Sequence, residues 1–490
     1  MKTIKKLTTI FFFIIILSSC SDLLNVEPTS VITTDSFWKS ENDAQGAAIG
    51  MYINLRDLAT NNLYYFGEAR ADVVTLGTVG EGGWSKYYYN NLHPADAGPS
   101  WQSCYTLVNS ANLIIKYVPT IDFASEDRKR RILAEAYTMR AFTYFLMART
   151  WGDLPLRTEP TESTDAEFTQ IERSPVAEVF NLIKSDLEQA LQLFPDNSIP
   201  AGRFQWSKPA ANALKGDVYL WTGKMLNGGS SDFTTALNAL NEINGNNITL
   251  LDDFESIFDF SNKGNQEIIM AVRFDEFEGG NNYFRDMHII GSAIPTNIDQ
   301  ETRAKIGAIG GGSNNIVVST DYLRFLYATE DQRRDATFFE IYTNDEQGNK
   351  NYYTSIVMKG AGVVIGGSRQ FKDDIILYRY AEVLLLKAEA KNALGQDPSE
   401  EINMIRERAY SDHFVDFAFV PGTQDENDEM IMEERLRELA FEGKRWWDLI
   451  RFGKALEYLP TLENKQHMLL WPISSAVLSL EHKVTQNPGY

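Results

Sequence analysis

A chain of 490 residues, 43% of them hydrophobic, is long enough to bury one large core or two medium ones. Its formal net charge of −21, from 46 Lys and Arg against 67 Asp and Glu, favours solubility, repels polyanions and argues against nucleic acid as a partner. Beyond the first two dozen residues no window approaches the ~20 consecutive apolar residues of a transmembrane helix.

Residues 1–19 read as a secretory signal, with a basic start at Lys2, Lys5 and Lys6 and an apolar run from Ile10 to Leu17. The run ends in Leu17-Ser18-Ser19-Cys20, which resembles a bacterial lipobox. In such a sequence the cysteine receives a diacylglycerol and becomes the first residue of the mature chain, so Cys20 is the expected lipidation site. With Cys20 lipidated, Cys104 is the remaining thiol and no internal disulfide can form. Residues 20–34 lack a clear period and carry Pro28, as expected of a tether. The expectation is a body anchored to a membrane rather than spanning it.

From residue 35 onward a single domain is expected, mainly α, with a helical scaffold over about 35–224 and 373–490 and a loop-rich ligand-binding region over about 225–372. Residues 126–150 place Ala134, Tyr137, Ala141, Tyr144 and Ala148 on one stripe and Phe142, Phe145 and Leu146 beside it, predicting a helix buried nearly all round. It should stop at Trp151-Gly152-Asp153-Leu154-Pro155. Ser174-Pro175 reads as a cap and first helical position for a helix to Phe194, and Ser207 as the cap of one bearing Ala210, Leu214, Val218 and Trp221. The region 225–372 is rich in Gly and Asn, with a strand expected at Ile268–Phe274 and a hairpin at Tyr342–Tyr353 around Gln347-Gly348-Asn349. Leu377, Ala381, Leu384 and Ala388 form a further stripe, and Met432, Leu436, Leu439, Gly443, Trp446 and Ile450 another. Helix pairs of similar size without a fixed spelling fit degenerate tetratricopeptide-like repeats and a few short strands.

Four blocks then carry a resemblance. They are Ala134–Leu156, the helix Tyr378–Ala390 (YRYAEVLLLKAEA), Glu434–Arg451 (ERLRELAFEGKRWWDLIR) and the terminal Gln486–Tyr490, with weaker echoes at Phe66–Asp72 and Trp101–Asn112. Together with the lipobox they make the chain similar, from residue 20 to residue 490, to the SusD/RagB family of outer-membrane nutrient-binding lipoproteins of Bacteroidetes. Only Asp22 falls in the four residues after Cys20, where surface-exported members often carry several acids. The resemblance implies an outer-membrane, lipid-anchored lid facing the exterior over a SusC-like TonB-dependent transporter. Such a lid captures oligosaccharide for import, or in some members peptide, without doing chemistry. A surface glycoside hydrolase is the competing reading from another class.

Sugar binding requires aromatic faces and polar groups at the ring hydroxyls. The aromatic loop Trp84–Asn90 supplies Trp84, Tyr87, Tyr88 and Asn90 as candidates, and the stretch after Gly279-Gly280 supplies Tyr283, Arg285 and His288. The charged residues of the third block, Glu434, Arg435, Glu438, Glu442, Arg445 and Asp448, have spacings suited to clamping helices together. No catalytic residue is assigned, because zincin, Walker, nucleophile-elbow and C-x-x-C motifs are missing from the sequence. His93, His288, His413, His467 and His482 are scattered, reading as surface or loop residues, so no metal or cofactor is expected. Gly307–Gly312 reads as a loop rather than a phosphate cradle, and Asp425–Glu429, a weak candidate for calcium, as the start of a helix.

Overall fold

A computed structural model describes residues 37–78, 83–243, 247–307, 311–318 and 322–490. The leader, Cys20 and the tether lie outside these residues, as do parts of the glycine-rich stretches before Trp84 and after Gly307. Eleven helices carry the frame. The first seven are α1 (Glu41–Ala59), α2 (Asn62–Gly67), α3 (Gln102–Tyr117), α4 (Glu126–Trp151), α5 (Val176–Leu193), α6 (Lys208–Met225) and α7 (Gly229–Asn241). Then follow α8 (Tyr380–Ala393), α9 (Ser399–Tyr410), α10 (Gln424–Leu439) and α11 (Arg445–Arg451).

Successive helices pack on one another: α1 on α3, α3 on α4, α4 on α5, α5 on α6, α6 on α7, α7 on α8, and α8 on both α9 and α10. This is the tetratricopeptide-like succession, in which each pair buries its apolar face against the next. Helix α4 holds the centre; every residue from Tyr144 to Gly152 is buried, and the helix ends where Gly152 takes φ 75°. Helix α6 starts as expected, with the Ser207 hydroxyl accepting from Ala210 N.

Three local readings change. Helix α5 begins one residue later than expected, with Pro175 at the N-cap and Val176 the first helical residue; Ser174 pairs its backbone with Leu154, and the Val176 N–H is accepted instead by Asp153 Oδ1 at 2.7 Å. The turn that ends α4 thereby starts α5. Leu377 belongs to a strand, and the helix that follows begins at Tyr380. The stripe from Met432 to Ile450 is broken: Phe441 and Gly443 take φ 68° and 73°, separating α10 from α11. Buried Glu68 holds the break, accepting the Phe441 and Gly443 N–H groups at 2.6 Å each, and Gly67 comes so close to the Gly443 carbonyl that a Cβ there would collide with it.

The loop-rich stretch, apart from α7, supplies most of four two-stranded antiparallel ribbons. Strands β1 (Val74–Leu76) and β3 (Ile316–Val318) pair, as do β2 (Ile268–Val272) and β8 (Ile375–Arg379), β4 (Phe338–Asn344) and β5 (Lys350–Val357), and β6 (Val363–Ile365) and β7 (Ser368–Gln370). The hairpin at 342–353 forms, its turn closed by Asp345 Oδ1 accepting from Gln347 N and Asn349 N.

The charged set of the third block clamps the C-terminal helices. Buried Arg379 donates to Glu267, Glu438 and Glu442, and buried Arg333 to Asp331, Glu434 and Glu438. Arg451 joins Glu389 on α8 to Asp448 on α11 and Asp217 on α6. Burial alone would raise Glu434, but Arg333, Arg406 and Arg437 hold it at about 2. The acidic run Asp425–Glu429 opens α10 through a capping box between Thr423 and Glu426, while Asp428 accepts from Asn392 and Lys224.

Candidate functional site

The two candidate loops, far apart in sequence, meet on one short helix. Tyr64 of α2 stacks on Tyr283 with ring centroids 5.0 Å apart and touches Trp84 at 5.7 Å; its neighbour Tyr65 packs against Trp84 and Tyr87 at 4.9 Å each. The cluster runs inward from Tyr87 to Trp471 and on to Phe66. A backbone ladder ties the second loop to the strand region after Gly311: Ser313 N donates to Arg285 O, Asn314 N to His288 O and Asn315 N to Asp286 O. A Cβ at Gly312 would collide with the His288 carbonyl, so this approach requires glycine.

Convergence of this kind costs most of the candidates their solvent. Trp84, Tyr87, Tyr283 and His288 are buried, and Asn90 is fully so. Asn90 adopts φ 48°, accepts from Arg70 Nε at 2.6 Å and donates to Thr461, which makes it a clamp between loops. The Tyr283 hydroxyl donates to Phe441 O at the break between α10 and α11. His288 is an interior residue, not a surface histidine; burial, with Arg369 nearby, lowers it to about 4 and keeps the imidazole neutral at pH 7. None of these five presents a free face to a sugar in this structure.

Tyr88 and Arg285 do keep solvent contact. Tyr88 packs edge-on against Tyr89, which is 49% exposed, and half-buried Tyr65 adds a third ring. The exposed guanidinium of Arg285 makes no hydrogen bond or ion pair among the described residues, whereas the adjacent Asp286 is held by Ser313 and Asn315. Burial, with Asp286 close by, raises Tyr65 to about 12. These solvent-contacting rings, carried on the same aromatic cluster, and a planar cation from the second loop are groups suited to C–H packing and hydroxyl recognition. Sequence reasoning missed Tyr65, Tyr89 and Asp286. The pair Tyr64-Tyr65 just before Phe66–Asp72 was the available signal, but nothing in its spacing says which ring turns outward.

The carboxyl groups raised furthest in pKa are enclosed: Glu68 at about 8, behind Tyr64 and Tyr283, and Glu135 and Asp373 at about 7, each pushed up by burial. Among the described residues, no group of three or more His, Cys, Asp or Glu is placed to hold a metal ion, and no helix is long and apolar enough to cross a membrane.

Comparison with known proteins decides the family. A SusD-like protein of Formosa agariphila, P38, is 30% identical over the full length of both chains. The chain belongs to the SusD/RagB family. The SusD family profile matches residues 362–469, and a profile described as starch-binding, associating with the outer membrane, matches 24–220. Bacteroides fragilis NanU superposes on this SusD-like chain with a TM-score of 0.86 at 33% identity, over 95% of this chain and all of NanU. A laminarin-binding SusD-like protein shares the fold at 23% identity and a TM-score of 0.74, covering 92% of this chain and all of that one.

Proposed function

We propose that this SusD-like protein is a glycan-binding lid at the outer membrane, anchored through Cys20, that presents oligosaccharide to a SusC-like TonB-dependent transporter. The observation that carries the reading is the solvent contact of Tyr65, Tyr88 and Tyr89 and of Arg285, which has no partner among the described residues, where the two aromatic loops meet on α2, on a scaffold whose family profile is described as starch-binding and outer-membrane-associated. Rings pack against pyranose C–H groups, and Arg285 and Asp286 reach hydroxyls from one edge. Association entropy offsets most of the gain from a few stacked rings, so affinity is modest, and a lipid anchor compensates by holding the lid beside the barrel at high effective concentration.

Native gels cast with single polysaccharides test this reading. Retarded migration without new reducing ends supports capture, whereas release of sugars by the purified protein overturns it. Replacing Cys20 should weaken co-purification with a TonB-dependent barrel; unchanged recovery of the barrel would remove the anchor from the mechanism.

A further inference from the structure

A second opening lies on α3, away from the tyrosine face and sharing no residue with it. It is a cleft of about 540 Å³ between α3, the segment 157–170 and the C-terminal helical turn Ser475–Leu480. The volume falls within the range of small-ligand sites. Trp101 and half-buried Tyr105 form an aromatic part of its wall, and Leu480, 72% exposed, forms an apolar lip.

Its polar lining is charge-balanced, with hydroxyls and amides beside a single ion pair. The only charged lining residues are Arg157 and Glu481, and they face each other at 3.5 Å. Arg157 also donates to Phe168 O and Thr169 O, and with Glu481 opposite it the lining carries no net charge to attract a phosphate, a sulfate or a uronate. What remains unengaged among the described residues is a carboxylate oxygen and two amides, the buried Glu481 Oε2 having no hydrogen-bond partner. Gln102, exposed on α3, makes no side-chain hydrogen bond among the described residues, and Asn109 accepts from Thr161 N at 2.7 Å while its NH₂ has no partner there.

From the charge-balanced lining, the aromatic wall and the spare hydrogen-bonding groups, we infer that this groove is a second ligand site, taking a neutral saccharide. Uncharged hydroxyls match free amide donors and acceptors, and the C–H face of a sugar ring matches the aromatic and apolar wall. An extended peptide would need a strand edge to pair its backbone, and no strand borders the groove. The site is additional to the tyrosine face and does not depend on it.

Titration calorimetry on the full chain, purified in detergent, against neutral laminari- and malto-oligosaccharides from tri- to hexasaccharide tests the inference. Thr106→Trp, at an exposed helix position, fills the groove and should weaken one binding event at least about tenfold, and Gln102→Ala should weaken the same event several-fold with an unchanged melting temperature. Tyr88→Ala and Arg285→Ala should leave that event intact. The inference is overturned if no saccharide binds, if every event survives both groove variants, or if the groove-sensitive event is seen only with a neutral hexapeptide. Should Thr106→Trp fail to fold, Gln102→Ala alone decides. Loss of glycan binding at the tyrosine face would refute the capture reading while leaving the groove standing, so each can fail by itself.

Discussion

The clamp around α10 and the tyrosine face treat arginine in opposite ways. Arg379 is fully buried and spends its guanidinium on Glu267, Glu438 and Glu442, whereas Arg285 is exposed and unengaged among the described residues. Three carboxylates brought together inside a low-dielectric core repel one another unless cations sit among them, and Arg379 meets that demand together with Arg408, Arg333 and Lys359. Arg285 answers to no such demand. The same contrast divides the aromatics: Trp84 and Tyr283 fill space between elements, while Tyr88 and Tyr89 sit on top of that packing with solvent contact. Burial and saturation mark what holds the fold, and an unsatisfied polar group beside exposed rings marks what is free to bind.

Several measurements would break or sharpen this contrast. Arg379→Ala should cost about 3–5 kcal/mol in chemical denaturation by removing the cation that three buried acids share, although Arg408, Arg333 and Lys359 still pair with them; a loss under about 1 kcal/mol would show that Arg379 is dispensable to the clamp. Trp84→Ala should lose a similar amount, about 3–5 kcal/mol, because the indole is packed among Tyr64, Tyr65 and Tyr87; an unchanged melting temperature would return it to the surface.

Glu135 offers a pH test on the structural side. Its carboxyl accepts the Tyr52 hydroxyl at 3.0 Å, and burial lifts it from 4.5 to about 7, so the folded chain holds this proton more tightly than the unfolded one. Its destabilising contribution is therefore nil below about pH 4.5, grows as pH rises and is complete above about 7. Glu135→Gln should stabilise by on the order of 3 kcal/mol at pH 8 and by almost nothing at pH 4, read as melting temperature against pH. A gain independent of pH would mean that titration of Glu135 is not its source.

On the binding side, Tyr88→Ala or Arg285→Ala should each lower glycan affinity by about 1–2 kcal/mol in gel retardation with the melting temperature hardly moved. The smallest effect belongs to a helix start: Thr423→Ala removes the capping box of α10 and should cost about 1 kcal/mol, and millimolar calcium should shift neither the parent nor the variant. A calcium-dependent rise in melting temperature would give the Asp425–Glu429 run a second role.

The scaffold was readable because helical rhythm is local. The buried α4, the Ser207 cap, the 342–353 hairpin and the stop at Gly152 each follow from residues within a few positions of one another. The misread positions share a cause. Asp153, not Ser174, accepts the first N–H of α5, and Glu68 broke the stripe between α10 and α11, both through contacts made across the fold. For the candidate face, the sequence identified aromatic loops but not their orientation, so Trp84, Tyr87, Asn90, Tyr283 and His288 proved interior and Tyr65 and Tyr89 were passed over.

By itself, then, the sequence determined the family, the helical-pair architecture and the regions where rings concentrate, since periodicity, turn residues and motif blocks are written in consecutive positions. Only the tertiary structure decided which rings and which arginines remain free. Exposure is what remains after distant elements have packed, and Tyr64 could draw both loops inward only because the fold brings residues 64, 84 and 283 to one place.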